Sequence, residues 1–381
     1  MIGPAGPFNV EERTFFRRLD WSIISLIFAL QVIGLINLYS ATTSMAEGEP
    51  ISRLYVQQCI WILVGWGIFI TLTVLNYSFF FRACYFLYIL NIGALIFVQV
   101  TVKQIAGVQR WIDLGFFRYQ PSETMKVLLV VVLARYLSQR NYPNGLGMRE
   151  LIVPMLLILI PAGLVAKQPD LGSAAIMFAI GMGMLFFVKI KTRLILWVGA
   201  VILFTGVTLG PVLWNHALKQ YQRDRIISFL NPEADPMGTG YHSIQSRIAV
   251  GSGGLLGKGY GQGTQTHLQF LPERHTDFIF SVLGEEHGFV GTVSVLGLFA
   301  LLLTFLLRVG KNAPDKFGAL LAVGMTASMF FHIFVNVGVV VGLLPVKGSP
   351  LPLFSYGGSN VLATMVALGL VSSVSYRKHM F

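Results

Sequence analysis

Acidic residues are the first side chains to weigh in this chain, because so few of them stand among so much apolar sequence. Asp277 closes the polar run PERHTDF where the chain turns apolar again. Continued as a helix, the spacing puts Glu273, Asp277, Ser281 and Glu285 on one stripe, with Glu285 about 12 Å deeper than Asp277. A carboxylate at such a boundary is either a partner for the positive end of the helix dipole or a proton acceptor, since charge inside an apolar span is costly and usually marks function. An unperturbed Asp titrates at about 3.9, too low for a base at neutral pH. Burial beside Glu273 would raise that value, and Arg274 and His275 would lower it. His275 could itself act as a base, but no nucleophile or metal ligand accompanies it.

Two further clusters carry charge into apolar surroundings. In GVQRWIDLGFFRYQPSETMK, Pro121 suits the first turn of a helix and Glu123 its N-terminal end. Glu123 and Lys126 lie three residues apart, so they face the same side and can pair within the membrane. That pair is either a packing device or one polar wall of a substrate cavity. Arg110 and Trp111, just before it, are either an interfacial anchor or contacts to an anionic headgroup. In AKQPDLGSA, Asp170 is placed to cap a helix, and Lys167 could meet a phosphate.

The long polar segment from Tyr221 to Gly288 holds more basic residues, Arg247 and Lys258 among them. Its GSGGLLGKGYGQG stretch has seven glycines in thirteen residues. The spacing is not that of a Walker A loop, and Gly259 stands where Ser or Thr is required. It fits a mobile flap, or a flap whose backbone N–H groups hold phosphate oxygens. Near the C-terminus, the Gly and Pro interruptions of LLPVKGSPLPLFSYGGSN, with Lys347 among them, predict irregular backbone lining a cavity.

The elements that must position these residues are membrane spans. The chain has 381 residues, 54% hydrophobic and only 12% charged, about half the charge of a soluble domain. Its apolar runs are continuous and close to 20 residues long, which predicts an all-α, polytopic helical membrane protein rather than a barrel. Ten spans are expected, at 21–41, 55–75, 82–101, 121–138, 151–166, 172–188, 194–213, 277–307, 317–342 and 352–375. The eighth contains Gly284 and Gly288 and is a candidate for a break. Loops alternating from the N-terminus hold fifteen Lys and Arg, against six in the opposite short loops. Both termini are therefore expected in the cytoplasm, with residues 1–20 as a cytoplasmic segment and 214–276 as a large extracytoplasmic loop. Within that loop, 214–230 and 241–250 read as amphipathic helices for the bilayer surface. The charge of +11 sits in short loops, so nucleic acid is not expected as a partner. Cys59 and Cys84 fall at opposite ends of neighbouring spans and are not expected to pair.

RWIDLGFFRYQPSE, QPDLGSA, GTQTHLQFLPERHTDFIFSVLGEE and LPLFSYGGS are long, ordered motifs, and with LINLYSATTS in the first span they cover nearly the whole chain. On them the chain resembles the SEDS family (shape, elongation, division and sporulation), its elongation branch more than its division branch. Lys347 and Ser349 depart from the family pattern. The resemblance implies one membrane domain, residues 1–381, acting as a peptidoglycan glycosyltransferase in the cytoplasmic membrane. Lipid II would be polymerised on the outer face alongside a class B penicillin-binding protein, a PBP2-like transpeptidase, with membrane lipids around it. Asp277 would be the catalytic base. Arg110, Trp111, Glu123, Lys126, Lys167, Arg247, Lys258, Glu285 and Lys347 would be candidate substrate contacts. A divalent cation, magnesium or manganese, could share the pyrophosphate charge near Glu123 or Glu285, although no ligand spacing requires one. Two other readings stand beside this one: a lipid II flippase, or a non-catalytic scaffold for the penicillin-binding protein.

Overall fold

The computed structural model describes residues 18–42, 53–101, 110–113, 115, 118–143, 145–197, 199–200, 208, 223, 227, 231, 239–267, 270–271, 273–346 and 348–378. Lys347, most of the expected seventh span and most of the expected 214–230 helix lie outside these residues. The regular structure of the described residues is helical, apart from one small hairpin and an isolated bridge between Leu146 and Ile190. Its helices are α1 (Trp21–Thr42), α2 (Arg53–Val74), α3 (Ser78–Thr101), α4 (Pro121–Ser138), α5 (Met148–Lys167), α6 (Leu171–Val188), α7 (Thr239–Ser252), α8 (Thr264–His267), α9 (Ile279–Lys311), α10 (Lys316–Val340) and α11 (Gly358–Tyr376). The hairpin pairs β1 (Ile112–Asp113) with β2 (Arg118–Tyr119) in antiparallel register.

Eight of these helices are long and apolar enough to cross a bilayer. On α2 and α3 large side chains such as Leu63, Phe86 and Val100 lie exposed, as lipid-facing residues must. α4 is different. Glu123, Lys126 and Arg135 lower its hydropathy, yet every residue from Val127 to Ala134 is buried. It packs against α3, α5, α6, α10 and α11 at once. A helix buried on all sides is the body's central post, and it fixes whatever its first turn carries.

α9 breaks where the glycines predicted. Gly288 has φ 63° and ψ −159° inside the helix, a backbone that L side chains rarely adopt. The break interrupts the ladder of helical hydrogen bonds, and the glycine-rich loop 253–259 replaces it. Lys258 N and Gly259 N each donate at 3.0 Å to the carbonyls of Glu285 and Glu286. Phe289 N and Val290 N donate to Gly254 O and Leu255 O at 2.9 and 3.1 Å. A Cβ on Gly253 or Gly257 would collide with the carbonyls of Gly284 or Glu286. The glycines therefore allow the loop to lie directly on α9. The loop is therefore packed on α9 rather than a free flap, and two of its N–H groups, those of Lys258 and Gly259, are committed to the helix.

The expected stripe from Glu273 to Glu285 also fails. Residues 273–278 are turns, Glu273 has φ 52°, and the helix begins only at Ile279. Ser281 instead faces Ser246 on α7, with the hydroxyls 2.8 Å apart, and Glu285 faces Lys258. α7, expected on the bilayer surface, packs against α9 and α10. The last span starts at Gly358 rather than 352, because residues 348–357 are taken up by an irregular loop.

Candidate active site

Asp277 is held by its neighbours' backbone and by polar side chains from α2, α10 and the loop before α11. Thr276 N and Phe278 N donate to Glu273 O, closing the turn. Asn336, near the end of α10, donates from one amide to Asp277 O at 2.9 Å and to Ser349 O at 2.7 Å. Ser355 Oγ donates to Thr276 O at 2.7 Å and accepts from Leu351 N. Tyr356 N donates to His275 O at 3.0 Å. Gln58 on α2 anchors the far end, donating to Ser355 O and accepting from Gly357 N. The turn and the 348–357 loop are thus one clamped unit. Gly348, at φ 69°, lets that loop pass close by the carboxylate, where a Cβ would lie 3.1 Å from Asp277 Oδ2.

This unit forms one side of a cavity of about 1290 Å³. Arg110, Trp111 and Arg118 from the hairpin region line another side, together with Asp170 from the start of α6. Glu123 and Lys126 reach it from the first two turns of α4. Arg110 is oriented by Asp170, Nε to Oδ2 at 3.6 Å, and by Pro169 O at 2.6 Å. Asp170 also caps α6 through Ser173 N, so the capping role and the site role fall on the same carboxylate. Lys126 Nζ donates to Glu123 Oε1 at 2.8 Å.

The Asp277 carboxylate has no hydrogen-bond or ion-pair partner among the described residues. Its pKa is raised to about 7, chiefly by burial, with the Glu273 carboxylate adding to the rise, Arg110 opposing it and Asp170 adding a little. The opposing cation is Arg110 from across the cavity, not its sequence neighbour Arg274, which turns away to donate to Ala41 O. The imidazole of His275 is lowered by burial, with Glu273 raising it and Arg274 lowering it further. A carboxylate poised near neutrality beside a large polar cavity can take a proton from a hydroxyl at physiological pH.

Five of the ten residues singled out from sequence line this cavity: Asp277, Arg110, Trp111, Glu123 and Lys126. Lys167 is exposed at the end of α5, Arg247 is exposed on α7, and Lys258 and Glu285 pair with each other; none of these lines it. Lys347 lies outside the described residues. Sequence reasoning passed over Arg118, Gln58, His332, Asn336 and Ser355. His332 and Asn336 were detectable, being polar residues four apart within the apolar run of α10. Among the described residues no group of three or more His, Cys, Asp or Glu side chains is arranged to hold a metal ion.

The comparisons agree with this geometry. The family of FtsW, RodA and SpoVE, described as cell cycle protein, matches residues 18–380. Peptidoglycan glycosyltransferase MrdB of Escherichia coli K12 is 38% identical over 374 residues, covering 98% of both chains. Peptidoglycan glycosyltransferase RodA of Treponema pallidum is 33% identical, covering 94% of this chain and 98% of its own. Among solved structures, one described as structural coordination of polymerization and crosslinking by a peptidoglycan synthase complex superposes with a TM-score of 0.80 at 31% identity, covering 95% of this chain and 99% of that one. The rod shape determining protein RodA of Thermus thermophilus superposes at 0.69 with 30% identity, covering 95% of this chain and 98% of its own. Matched from residue 18 to residue 380, and aligned nearly end to end with glycosyltransferases above 30% identity, this chain belongs to the SEDS family of peptidoglycan glycosyltransferases.

Proposed function

We propose that this chain polymerises lipid II into glycan strands during cell elongation, with Asp277 as the general base. The 4-hydroxyl of the acceptor GlcNAc attacks the anomeric carbon of the donor MurNAc. The new C–O bond forms on the face opposite the leaving group, so the configuration inverts. The hydroxyl proton passes to Asp277, and the electron pair of the broken C–O bond leaves on undecaprenyl pyrophosphate. Lys126, with Arg110 and Arg118, faces the same cavity and supplies positive charge to that pyrophosphate. The positive-inside count favours both termini in the cytoplasm and the cavity, with the 214–276 segment, on the outer face. A PBP2-like class B transpeptidase is the partner that would crosslink the product.

The observation that carries the mechanism is a carboxylate without a hydrogen-bond or ion-pair partner among the described residues, raised to about 7, on the wall of a cavity that also holds Arg110 and Lys126. The test is polymerisation of purified lipid II by the chain with its transpeptidase partner. Asp277→Asn keeps the shape and removes the base, and is expected to slow glycan formation by about 10²–10⁴-fold. Full-length glycan at the unaltered rate from Asp277→Asn and Asp277→Ala would end the base assignment.

A further inference from the structure

One histidine near the cavity is not used by that mechanism. His332 is buried on α10, and its Nε2 lies 2.6 Å from Lys126 Nζ. Its Nδ1 lies 2.7 Å from Ser328 O, one turn back on the same helix. A carbonyl oxygen only accepts, so Nδ1 carries a proton. An ammonium only donates, so Nε2 receives one of its protons. The imidazole is therefore neutral, in one tautomer, and locked between the helix backbone and the lysine. A void of about 30 Å³ borders His332, Lys126 and Glu123, so the chain of contacts is not rigidified by packing alone.

Lys126 has three ammonium protons. Glu123 takes one at 2.8 Å and His332 a second. His332 approaches from α10, while Lys126 lines the large cavity with Glu123 beside it. Holding two of the donors fixes the direction of the third, because the three are set at tetrahedral angles. We propose that His332 is a positioning residue for the transfer reaction: it aims the remaining Lys126 proton at a diphosphate oxygen of the lipid-linked substrate. The inference rests on the proposed glycosyltransferase reading of the cavity. A donor fixed before the ligand arrives needs no reorientation as charge develops on the leaving group. A lysine held by Glu123 alone would rotate about that one contact and spread its remaining protons over many directions.

The test uses the full chain and separates this idea from the base assignment. Short-chain polyprenyl diphosphate is titrated into Asp277→Asn protein, with the matching neutral polyprenol as control. Adding His332→Leu, which removes the acceptor at similar volume, is expected to weaken diphosphate binding about tenfold, the value of one hydrogen bond to a charged group. Polyprenol binding should not change. His332→Gln places an amide oxygen near the Nε2 position and should recover most of the loss. In the otherwise unaltered chain, His332→Leu should lower kcat/KM for lipid II about tenfold or more, with rescue by Gln. Unchanged diphosphate affinity in His332→Leu, or equal losses for Leu and Gln, would overturn the proposal whether or not Asp277 proves to be the base. Equal loss of diphosphate and polyprenol binding would also overturn it, since that is the mark of a merely structural residue.

Discussion

Lys126 donates to Glu123 at 2.8 Å, and Lys258 donates to Glu285 at 2.7 Å. By distance and by residue type the two pairs are equivalent. Their surroundings are not. Glu285 Oε1 also accepts from Thr264 Oγ1 at 3.1 Å and from Gln265 N at 2.9 Å, and the Lys258 backbone donates to the Glu285 carbonyl. Glu285 thus ties α9 to Lys258 of the glycine-rich loop and to Thr264 and Gln265 at the start of α8. The Glu123–Lys126 pair sits on the central helix, is joined by His332, and opens onto a cavity of about 1290 Å³. A buried ion pair therefore reports function only when one of its groups retains a donor or acceptor facing space that a ligand can fill. Without that it is a fastening, and costly to break because the abandoned partner stays buried.

The sharpest way to break this comparison is to remove both lysines in parallel. Lys126→Met is expected to cut lipid II polymerisation by about 10²-fold, the order seen when one preorganised donor to developing negative charge is lost. Lys258→Met should leave the rate within about threefold. It should instead lower the melting temperature in detergent, because Glu285 loses its strongest donor while remaining buried. The same rate loss from both substitutions would show that the two pairs do the same work.

Next in size is the dependence on pH. The Asp277 carboxyl titrates at about 7, so protonation below that value removes the base. The rate should rise with pH through 7 and level above it, increasing about tenfold between pH 6 and pH 8 for a single group of this pKa. Stability runs the other way for this residue. The folded state holds the proton more tightly than the unfolded chain, so its contribution falls as pH rises from about 4 to 7. Asp277→Asn should leave only a flat residual rate, and a profile of unchanged slope in that variant would assign the limb to another group.

What the sequence made legible follows from which signals are local. The helix expected at 121–138 is found at those limits because Pro121 opens it and the apolar run closes it. The break in α9 was visible in Gly288, since a glycine in an apolar helix signals its own tolerance of positive φ. Asp277 and the Glu123–Lys126 pair stood out because charge is rare in apolar surroundings. The stripe from Glu273 to Glu285 misled because helical periodicity was extended through residues that are in fact turns, held by Asn336 and Ser355 from distant parts of the chain. Lys167, Arg247 and Lys258 were candidates by charge alone, and only tertiary packing shows which basic residues face the cavity. His332 and Asn336 are polar but not charged by type, and their importance lies in what each touches.

The smallest effect is the most discriminating between the two regions. Gly348 beside Asp277 has φ 69°, and Gly254 in the glycine-rich loop has φ 56°. Alanine at either position meets the same left-handed backbone penalty, about 1 kcal/mol. The difference lies in what the new methyl touches. At Gly254 nothing stands within 4 Å, whereas at Gly348 it lies 3.1 Å from Asp277 Oδ2 and must push the carboxylate aside. Gly254→Ala and Gly348→Ala should therefore melt at similar temperatures, while only Gly348→Ala slows polymerisation, by about 3–10-fold, the scale of a catalytic group displaced by a few tenths of an ångström. Equal activity in the two variants would mean that the clamp around residues 276–277 can yield without moving the base, and that the 348–357 loop serves to hold helices together as the glycine-rich loop does.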